Sequence, residues 1–569
     1  MTLIPSGHIL LLLISTAVLL GWTHRTLRGM RLTRGTALIL LAVMFAGAFL
    51  PDISIGPAAR LGIGGALVPL GVVVYLLVTA DQAFEKRRAI LAAIITGGVV
   101  FAFDTLLPPE PGEGGLLGAF DPLWVPALAA GFFGYIAGRS RRAAFIAGTL
   151  GVVLVDLYVS ALNALRGIPG AFANIGTAGV FDAVVLAGVL AVLFAEVIGE
   201  GRELLARRLS IRRGRSAPAA AGAGLIPRTI APPWDLAVTL TLTALLLAGS
   251  TVWGDRLWGA PHDPGAAGDN FFQLFDERGR LVTARGHAMR VGDQYIDSVN
   301  LFYEIKRVEG RHAFAHTLGT IDLAADDGTA PQPVTAQTER PPGILEWLGR
   351  ILNFNRRQDD GGRSRDDFAG PAPKILIIHT HNAESYVMSD GAAFVVSKGG
   401  VHSVGAELTR QLDRRGFDVI HDEAIHLPHD RGAYRRSRRT LADHLTDNPL
   451  LVIDIHRDAL PAEFYAHHID GEGVTRLRLV IGRQNPNFQQ NLTAAKEIKA
   501  VTDELFPGLF KGIFIARGNY NQDLGHRVLL FEMGAHTNAR ESAERSTEYV
   551  AEELDQWVRQ RILTPQDPH

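Results

Sequence analysis

The sequence contains no cysteine. Disulfide bonds and thiolate chemistry are therefore excluded, and any bound metal ion has to be held by histidine and carboxylate side chains. An excess of one charge is also missing, because 56 basic and 58 acidic residues leave a formal net charge of −2. This balance gives no indication of nucleic-acid binding, and no nucleic-acid partner is expected.

The 569 residues are too many for one domain, and polar residues are scarce in the first part of the chain. Up to about residue 253 Leu, Ala, Val, Ile and Gly dominate, whereas the remainder is polar, charged and rich in His. We predict a membrane domain at 1–253, a small extracytoplasmic β-rich unit at 254–323, a flexible linker with a short amphipathic helix at 324–373, and an α/β catalytic domain at 374–569.

The first domain is predicted to be an α-helical multi-spanning membrane domain. About eight apolar segments approach the roughly 20 residues that a bilayer-spanning helix needs. They lie near 5–22, 35–50, 62–80, 89–107, 121–138, 143–162, 178–198 and 234–253. No Lys or Arg precedes Ile9, so we interpret the first segment as a retained helix rather than a signal peptide.

Basic residues are concentrated in alternate loops of this domain. They cluster in 25–34, 86–88, 139–142 and 202–228, whereas the opposite loops hold only Arg60 and Arg166. Short loops rich in Lys and Arg stay in the cytoplasm. With an even number of spans, both termini are outside. The protein is therefore predicted to be a multi-pass protein of the cell membrane whose C-terminal catalytic domain is extracytoplasmic.

Four acidic residues lie in or near the predicted spans, and acids in such positions are functional hypotheses by default. We expect Asp104, Asp182 and Glu196 at the membrane interfaces and Asp156 deep in its span. The stretches GIGGALVPLG and GTLGVVLV suit close helix packing. The stretch GIGGALVPLGVVVYLL resembles an uncharacterised bacterial multi-spanning family, and this resemblance implies no activity beyond anchoring.

Strand and helix patterns alternate from Lys374 onward, which predicts a mainly parallel sheet covered by helices. Three predicted strands end abruptly in ligand-type side chains: KILII is followed by HTHNAE, LLVID by IHRD, and VLLF by Glu532. Because the carboxyl ends of parallel strands border one crevice, we expect these side chains to converge there.

The converging residues have the composition of a zinc site. Catalytic zinc commonly takes two His and one Glu. The spacing offers one of His379 and His381, then Glu384, then His456, with Glu407 on the next helix as an alternative to Glu384. The two histidines cannot be ranked by spacing, because side chains two apart on a strand share a face.

Further polar residues complete the predicted site. Glu532 is the candidate general base and acid, which requires a pKa raised toward the working pH. Asp454 is placed to orient His456, and Arg457 to stabilise an oxyanion or bind a carboxylate. A polar loop suited to substrate contains Asn519, Tyr520 and Asn521. The histidines that match no ligand spacing, and are expected on the surface, are His421, His426, His429, His467 and His468.

Four motifs together resemble the stage II sporulation protein P family of peptidoglycan hydrolases: HTHNAESY, IHDEAIHLPHDRGAYRRSR, VIDIHRDA and NYNQDLGHRVLLFEMGAHTN. The resemblance covers residues 374–560 and implies a zinc-dependent N-acetylmuramoyl-L-alanine amidase with the fold of the wider zinc amidase group. Endopeptidase activity toward cross-linked stem peptides is also attributed to the family. The wider group places its first ligand just beyond the strand, which favours His381. Eight predicted spans depart from the family's usual single anchor.

We therefore predict a membrane-anchored Zn²⁺ amidase that cleaves peptidoglycan between the lactyl group and the first L-alanine of the stem peptide. Other cell-wall hydrolases are the expected protein partners, and sporulation is the process that the resemblance implies. The alternative is a membrane sensor or transporter whose outer domain binds peptidoglycan without cutting it. The presence of Glu532 argues against that alternative.

Overall fold

The computed structural model describes residues 24–47, 50–55, 59–80, 82–107, 125–138, 140–168, 173–177, 182–196, 271–323, 368 and 371–563. Their chain forms two compact units, one comprising Met1–Pro261 with Ile425–Asp443 and the other His262–Ala424 with His444–His569. Two predicted spans, near 5–22 and 234–253, and the predicted linker helix lie outside the described residues.

The first unit is built mainly of helices. They include helices at the positions of six of the eight predicted spans. The helices are α1 (His24–Gly29), α2 (Arg34–Gly47), a π-helical turn (Ile63–Leu67) continued by α3 (Val68–Val78), α4 (Ala83–Leu106), α5 (Val125–Gly138), α6 (Arg141–Leu165) and α7 (Ala183–Glu196). Among the described residues, α4 and α6 are long and apolar enough to cross a membrane. The eight-span arrangement therefore stays a prediction.

Small residues bring the helices of this unit close together. A Cβ added at Gly148 would lie 2.5 Å from the carbonyl oxygen of Ala187, and one added at Gly151 would lie 2.7 Å from Thr96 Cγ2. Helix α6 thus approaches α7 and α4 more closely than larger side chains would permit. Three short strands form a small sheet beside them: β1 (Ile53–Ile55), β2 (Ala59–Leu61) and β3 (Ala173–Ile175).

The second unit is organised on one sheet of eleven strands within the described residues. The strands are β4 (Phe272–Phe275), β5 (Leu281–Arg285), β6 (Gln294–Asp297), β7 (Leu301–Glu309), β8 (His312–Thr320), β9 (Lys374–Ile378), β10 (Asp418–His421), β11 (Leu451–Asp458), β14 (Leu477–Gly482), β15 (Phe510–Ala516) and β16 (Val528–Ala535). Their order in the sheet is β10-β9-β11-β16-β14-β15-β6-β7-β8-β4-β5. A separate hairpin pairs β12 (Ala466–Ile469) with β13 (Glu472–Thr475).

The sheet is mixed, so the prediction of a mainly parallel sheet is only partly correct. Strands β10, β9, β11 and β16 run parallel, but β14 pairs antiparallel with β16. The chain passes from β11 to β14, on the far side of β16, through the β12–β13 hairpin and not through the α-helical crossover that usually joins parallel strands. The β-rich segment predicted as a separate small unit is also not separate, because β6 pairs with β15 and extends the same sheet.

Helices cover this sheet and bury its core. They are α8 (Val387–Asp390), α9 (Gly400–Asp413), α11 (Phe488–Leu505) and α12 (Arg540–Trp557). On α9, Val404, Leu408 and Leu412 repeat every four residues and are fully buried against β9 and β11, as the sequence pattern predicted. Truncating one such leucine to alanine costs about 2–5 kcal/mol of stability.

An insertion between β10 and β11 belongs to the first unit rather than the second. It comprises Ile425–Asp443 and contains most of helix α10 (Ala433–His444). At its base, within the second unit, His444 Nε2 lies 2.8 Å from Asp422 Oδ2. This contact joins the point where the chain leaves the second unit to the point where it returns.

Candidate metal centre

Three predicted ligands meet at the carboxyl ends of β9 and β11. His381, Glu384 and His456 each offer one ligand atom within 4.8 Å of the others, and all three side chains are buried. His381 Nδ1 lies 3.7 Å from Glu384 Oε1, and His456 Nδ1 lies 3.6 Å from Glu384 Oε2. The carboxylate therefore stands between two imidazole rings, as it would in a two-histidine, one-glutamate centre.

Local backbone structure puts these side chains in place. Strand β9 ends at Ile378, and a turn follows in which the Glu384 amide donates to the carbonyl oxygen of His381 at 3.0 Å. Glu384 then forms an isolated antiparallel bridge with Phe394. His456 lies within β11, whose residues are all buried. The ligands thus lie near the C-terminal end of β11 and just beyond that of β9.

Asp454 orients the His456 ring from the same face of β11. Its Oδ1 lies 3.2 Å from His456 Nε2, while Nδ1 of the ring faces Glu384. The Thr380 amide and hydroxyl donate to the Asp454 carboxylate at 2.8 and 2.6 Å. Burial disfavours a charged imidazole, but the Asp454 and Glu384 carboxylates outweigh it and hold the pKa of His456 well above its usual range. A metal ion that binds His456 must therefore displace a proton.

Arg457 supports the loop that carries Glu384. Its amide donates to Glu384 Oε2 at 3.0 Å, and its guanidinium donates to the carbonyl oxygens of Ser385 and Ala393 at 3.3 and 3.0 Å. The buried guanidinium also lies over the Phe394 ring, 4.7 Å from its centre. To meet an oxyanion, as predicted, it would have to leave these carbonyls. The geometry therefore favours a positioning role.

Glu532 lies on β16 in register with His456 on the neighbouring strand. Arg478 Nε donates to Glu532 Oε2 at 2.6 Å, and the Tyr465 hydroxyl donates to the same oxygen at 2.8 Å. Burial raises the pKa of Glu532, but the charges of Arg478 and Arg285 and the Tyr465 hydrogen bond outweigh it, so the pKa is lowered. The expectation of a raised pKa is thus wrong. The carboxylate is ionised, which is the form a general base needs.

The remaining candidate ligands lie away from this cluster. His379 Nε2 lies 2.8 Å from His421 Nε2. Glu407, the alternative third ligand, accepts a hydrogen bond from Gln411 at 2.8 Å and pairs with Arg410 on the same helix. The structure therefore separates His381 from His379, and Glu384 from Glu407, which spacing alone left open.

The loop that contains Asn519, Tyr520 and Asn521 lies at the opposite edge of the sheet. It connects the end of β15 to the start of β16. Because β14 and β15 run antiparallel to β16, they end where β16 begins, four residues before Glu532. Four residues of strand span about 13 Å. The three residues therefore lie away from the three candidate ligands, and their contact with the substrate stays a prediction.

Some neighbours of the centre were not predicted. Arg478 interrupts the apolar strand RLRLVIG, and a charge within a buried strand was a usable signal for a partner carboxylate. Strand β10 ends in His421 just as β9 is followed by His379, yet His421 was expected on the surface. His426 is also buried, with its Nε2 2.9 Å from Thr440 Oγ1. No sequence signal marked Tyr465 or His402.

Together these residues define an α/β domain with a His-Glu-His candidate metal centre at the carboxyl edge of its parallel strands. Residues 332–555 match the model of the Stage II sporulation protein P (SpoIIP) family. The C-terminal part of the chain is thus a SpoIIP-family domain, which confirms the resemblance. Residues 39–194 match the model of a protein family of unknown function, DUF1614, so the domain is joined to a second, uncharacterised one.

One curated relative and several solved structures are similar to parts of this chain. Stage II sporulation protein P of Bacillus subtilis (strain 168) is 27% identical over 258 residues, which are 40% of this chain and 64% of that protein. The chain thus spans less than two thirds of the relative's length. N-acetylmuramoyl-L-alanine amidase AmiC2 of Nostoc punctiforme is 13% identical over 33% of this chain and 98% of that chain, with a TM-score of 0.23. N-acetylmuramyl-L-alanine amidase Ami1 of Mycobacterium abscessus, in its apo form, is 16% identical over 33% of this chain and 96% of that chain, with a TM-score of 0.24.

Proposed function

We propose that this protein is a membrane-anchored, zinc-dependent N-acetylmuramoyl-L-alanine amidase. The observation that carries the proposal is the convergence of His381, Glu384 and His456 beside the strand of Glu532. Two imidazole nitrogens and one carboxylate are a donor set that catalytic zinc commonly takes. The Glu384 carboxylate between the two rings supplies an anionic oxygen ligand for such a cation. The residues present therefore fit zinc.

Each residue of the centre has a distinct task in this proposal. When bound, zinc would act as a Lewis acid that lowers the pKa of water from about 15.7 to about 7. His381, Glu384 and His456 would hold the ion. Glu532, ionised beside Arg478, would accept the proton of the attacking water and pass it to the leaving amine. Asp454 would keep the His456 ring oriented.

The substrate assignment rests on the SpoIIP-family match at residues 332–555. We assign the amide between the lactyl group of the glycan and the first L-alanine of the stem peptide as the bond that is cleaved, with stem-peptide cross-links as a second target. Peptidoglycan lies outside the cytoplasm. The catalytic domain therefore has to be extracytoplasmic, in agreement with the orientation that the basic loops predict.

Membrane anchoring is supported by the distribution of side chains in the first unit. Large apolar side chains are exposed on its helices, among them Ile39, Val74, Val78, Phe132 and Leu157. Carboxylates and hydroxyls are buried inside it, including those of Asp104, Asp156, Asp182, Thr96 and Thr149. A water-soluble bundle would show the reverse distribution. The unit is therefore suited to contact with lipid.

The full-length protein in detergent tests the proposal with purified peptidoglycan as substrate. We expect release of new L-alanine amino termini, loss of that release after chelation, and recovery with Zn²⁺. Glu532→Gln should lower the rate at least about 100-fold while the protein still binds zinc. If the zinc-loaded protein binds peptidoglycan but releases no amino termini, the amidase proposal fails and the alternative of a binding module replaces it.

A further inference from the structure

A second cluster of histidines lies beside the candidate metal centre but does not belong to it. His379 follows β9, His402 lies on α9, and His421 ends β10. Each offers a ring nitrogen within 4.8 Å of the others. The ring centres of His379 and His402 are 4.3 Å apart, and those of His379 and His421 are 5.1 Å apart. Three separate elements therefore deliver imidazoles to one point.

A glycine lets the backbone of α9 approach these rings closely. A Cβ added to Gly405 would lie 2.7 Å from His379 Nε2 and 2.8 Å from His421 Nε2. Any larger residue at position 405 would thus collide with the two rings. The close approach of α9 therefore places the His402 ring against that of His379.

We propose that His379, His402 and His421 form a second site for a divalent transition metal such as Zn²⁺. Three neutral imidazoles with an open position are an established zinc donor set. Tetrahedral zinc with nitrogens at about 2.0–2.1 Å keeps those nitrogens about 3.3 Å apart. His379 and His421, whose Nε2 atoms are 2.8 Å apart, would separate by about 0.5 Å on binding.

The second site would position the first. His379 precedes His381 by two residues, so a metal ion bound to His379 would hold the end of β9 from which His381 projects. The proposal does not depend on amidase activity, because it concerns metal binding alone. It adds a metal-dependent restraint on the turn that carries His381 and Glu384.

Metal stoichiometry of the full-length protein in detergent tests this site. After removal of metal and titration with Zn²⁺, we expect two equivalents for the unchanged protein and one for His402→Ala, with His402→Gln as a second variant in case His402→Ala fails to fold. His456→Ala should also bind one equivalent, the double variant none, and the control His468→Ala two. Co²⁺ absorption spectra distinguish the two donor sets. One equivalent in the unchanged protein, lost in His456→Ala, would overturn the second site and leave the first intact.

A different observation concerns the insertion Ile425–Asp443 within the first unit. Arg435 and Arg439 lie one helical turn apart on α10 and are buried. Arg435 Nη2 lies 2.7 Å from Asp104 Oδ2, at the end of α4. Arg439 donates to both oxygens of Asp182 at 2.8 and 3.3 Å and also pairs with Asp156. Three carboxylates thus surround two guanidinium groups.

The contacts of Asp104 and Asp182 lie at helix ends that are predicted to be extracytoplasmic. Asp104 is near the C-terminal end of α4 and Asp182 immediately precedes α7. At the opposite ends, Arg141 at the start of α6 pairs with Glu196 at the end of α7. Asn163 Nδ2, near the C-terminal end of α6, donates to the carbonyl oxygen of Leu427 at 3.1 Å. The insertion therefore contacts the helix ends that are predicted to be extracytoplasmic.

We infer that Asp104, Asp156 and Asp182 form a receptor for the arginines of the insertion, rather than an ion pathway. Removing one partner of a buried ion pair typically costs about 3–5 kcal/mol. The DUF1614-type unit would then bind a segment of the SpoIIP-type domain in addition to tethering it. This inference rests on the proposed membrane anchoring but not on the proposed chemistry.

The absence of native cysteine allows a direct test. We expect the double variant Asn163→Cys, Leu427→Cys in membranes to form one disulfide on mild oxidation. Arg439→Glu should reduce the yield at least about tenfold, and adding Asp182→Arg should restore part of it. The control Arg410→Glu, on the exposed face of α9, should leave the yield unchanged. An equal yield with and without Arg439→Glu would overturn the receptor, and proton conductance lost in Asp156→Asn would point to an ion pathway instead.

Discussion

Arg478 Nε donates a 2.6 Å hydrogen bond to Glu532 Oε2, and the same buried guanidinium pairs with Asp458. Its Nη1 donates to the carbonyl oxygen of Ala284 at 2.8 Å. The Tyr465 hydroxyl bridges the two carboxylates, at 2.8 Å from Glu532 and 3.1 Å from Asp458. This network therefore stabilises the ionised form of Glu532, the proposed general base, and holds its carboxylate in one orientation.

Weakening this network should change the pH profile of hydrolysis. Tyr465→Phe removes a hydrogen bond that lowers the pKa of Glu532. That pKa should rise, and the acidic limb of kcat/KM, which reports the essential base of the free enzyme, should move to higher pH. Arg478→Gln should move it further. Because Arg478→Gln also leaves two carboxylates without their cation, we expect it to lower stability by about 3–5 kcal/mol. If the acidic limb of the kcat/KM profile were unchanged in Tyr465→Phe, Glu532 would be excluded as the base.

Substitution of the two candidate third ligands, Glu384 and Glu407, should give different results. Glu384→Gln should abolish zinc binding at the His381–His456 centre and the hydrolysis that depends on it, because it removes the carboxylate between the two rings. Glu407→Gln should retain both, since Glu407 contacts Gln411 and Arg410 instead. Zinc content and release of L-alanine termini are the measurements. Loss of zinc in Glu407→Gln alone would reverse the assignment.

Asp454→Asn should weaken zinc binding without removing a ligand. The carboxylate holds His456 Nε2 and accepts two hydrogen bonds from Thr380. Loss of such an outer partner typically lowers metal affinity about 10–100-fold. Competition with a chromophoric chelator measures the change, and Asp418→Asn, on the partly exposed edge strand β10, is the matched control. An unchanged affinity in Asp454→Asn would show that the ring is oriented by other contacts.

The contact at the base of the insertion predicts a pH dependence of stability. The hydrogen bond with Asp422, assisted by Asp447 and opposed by burial, raises the pKa of His444. A raised pKa in the folded state stabilises below the unfolded value of about 6.5, and this contribution is lost as pH rises through the folded value. His444→Gln should therefore lower Tm at pH 6 by about 2–4 °C, corresponding to at most about 1 kcal/mol for a partly exposed pair, and have little effect at pH 9. An equal loss at both pH values would contradict this contribution.

Local properties of the chain, namely apolar runs and helical spacing, predicted several elements correctly. These are strands β9, β11 and β16 and the helix that carries Val404, Leu408 and Leu412. The same is true of the histidines and carboxylates that border these strands. The direction of β14 was not predictable. Side chains alternate along a strand in the same way whether it runs parallel or antiparallel to its neighbour. The position of Asn519, Tyr520 and Asn521 at the other end of the strands was not predictable for the same reason.

The amino-acid sequence by itself determined which residue types border the core strands, where the apolar segments lie, and to which family the C-terminal domain belongs. Only the tertiary structure decided that Glu384 rather than Glu407 stands between His381 and His456, that His379 belongs with His402 and His421, and that Arg439 contacts Asp156 and Asp182. Such choices depend on pairings between residues as many as 283 positions apart. Local pattern carries no information about them, because chain distance does not set spatial distance in a folded protein.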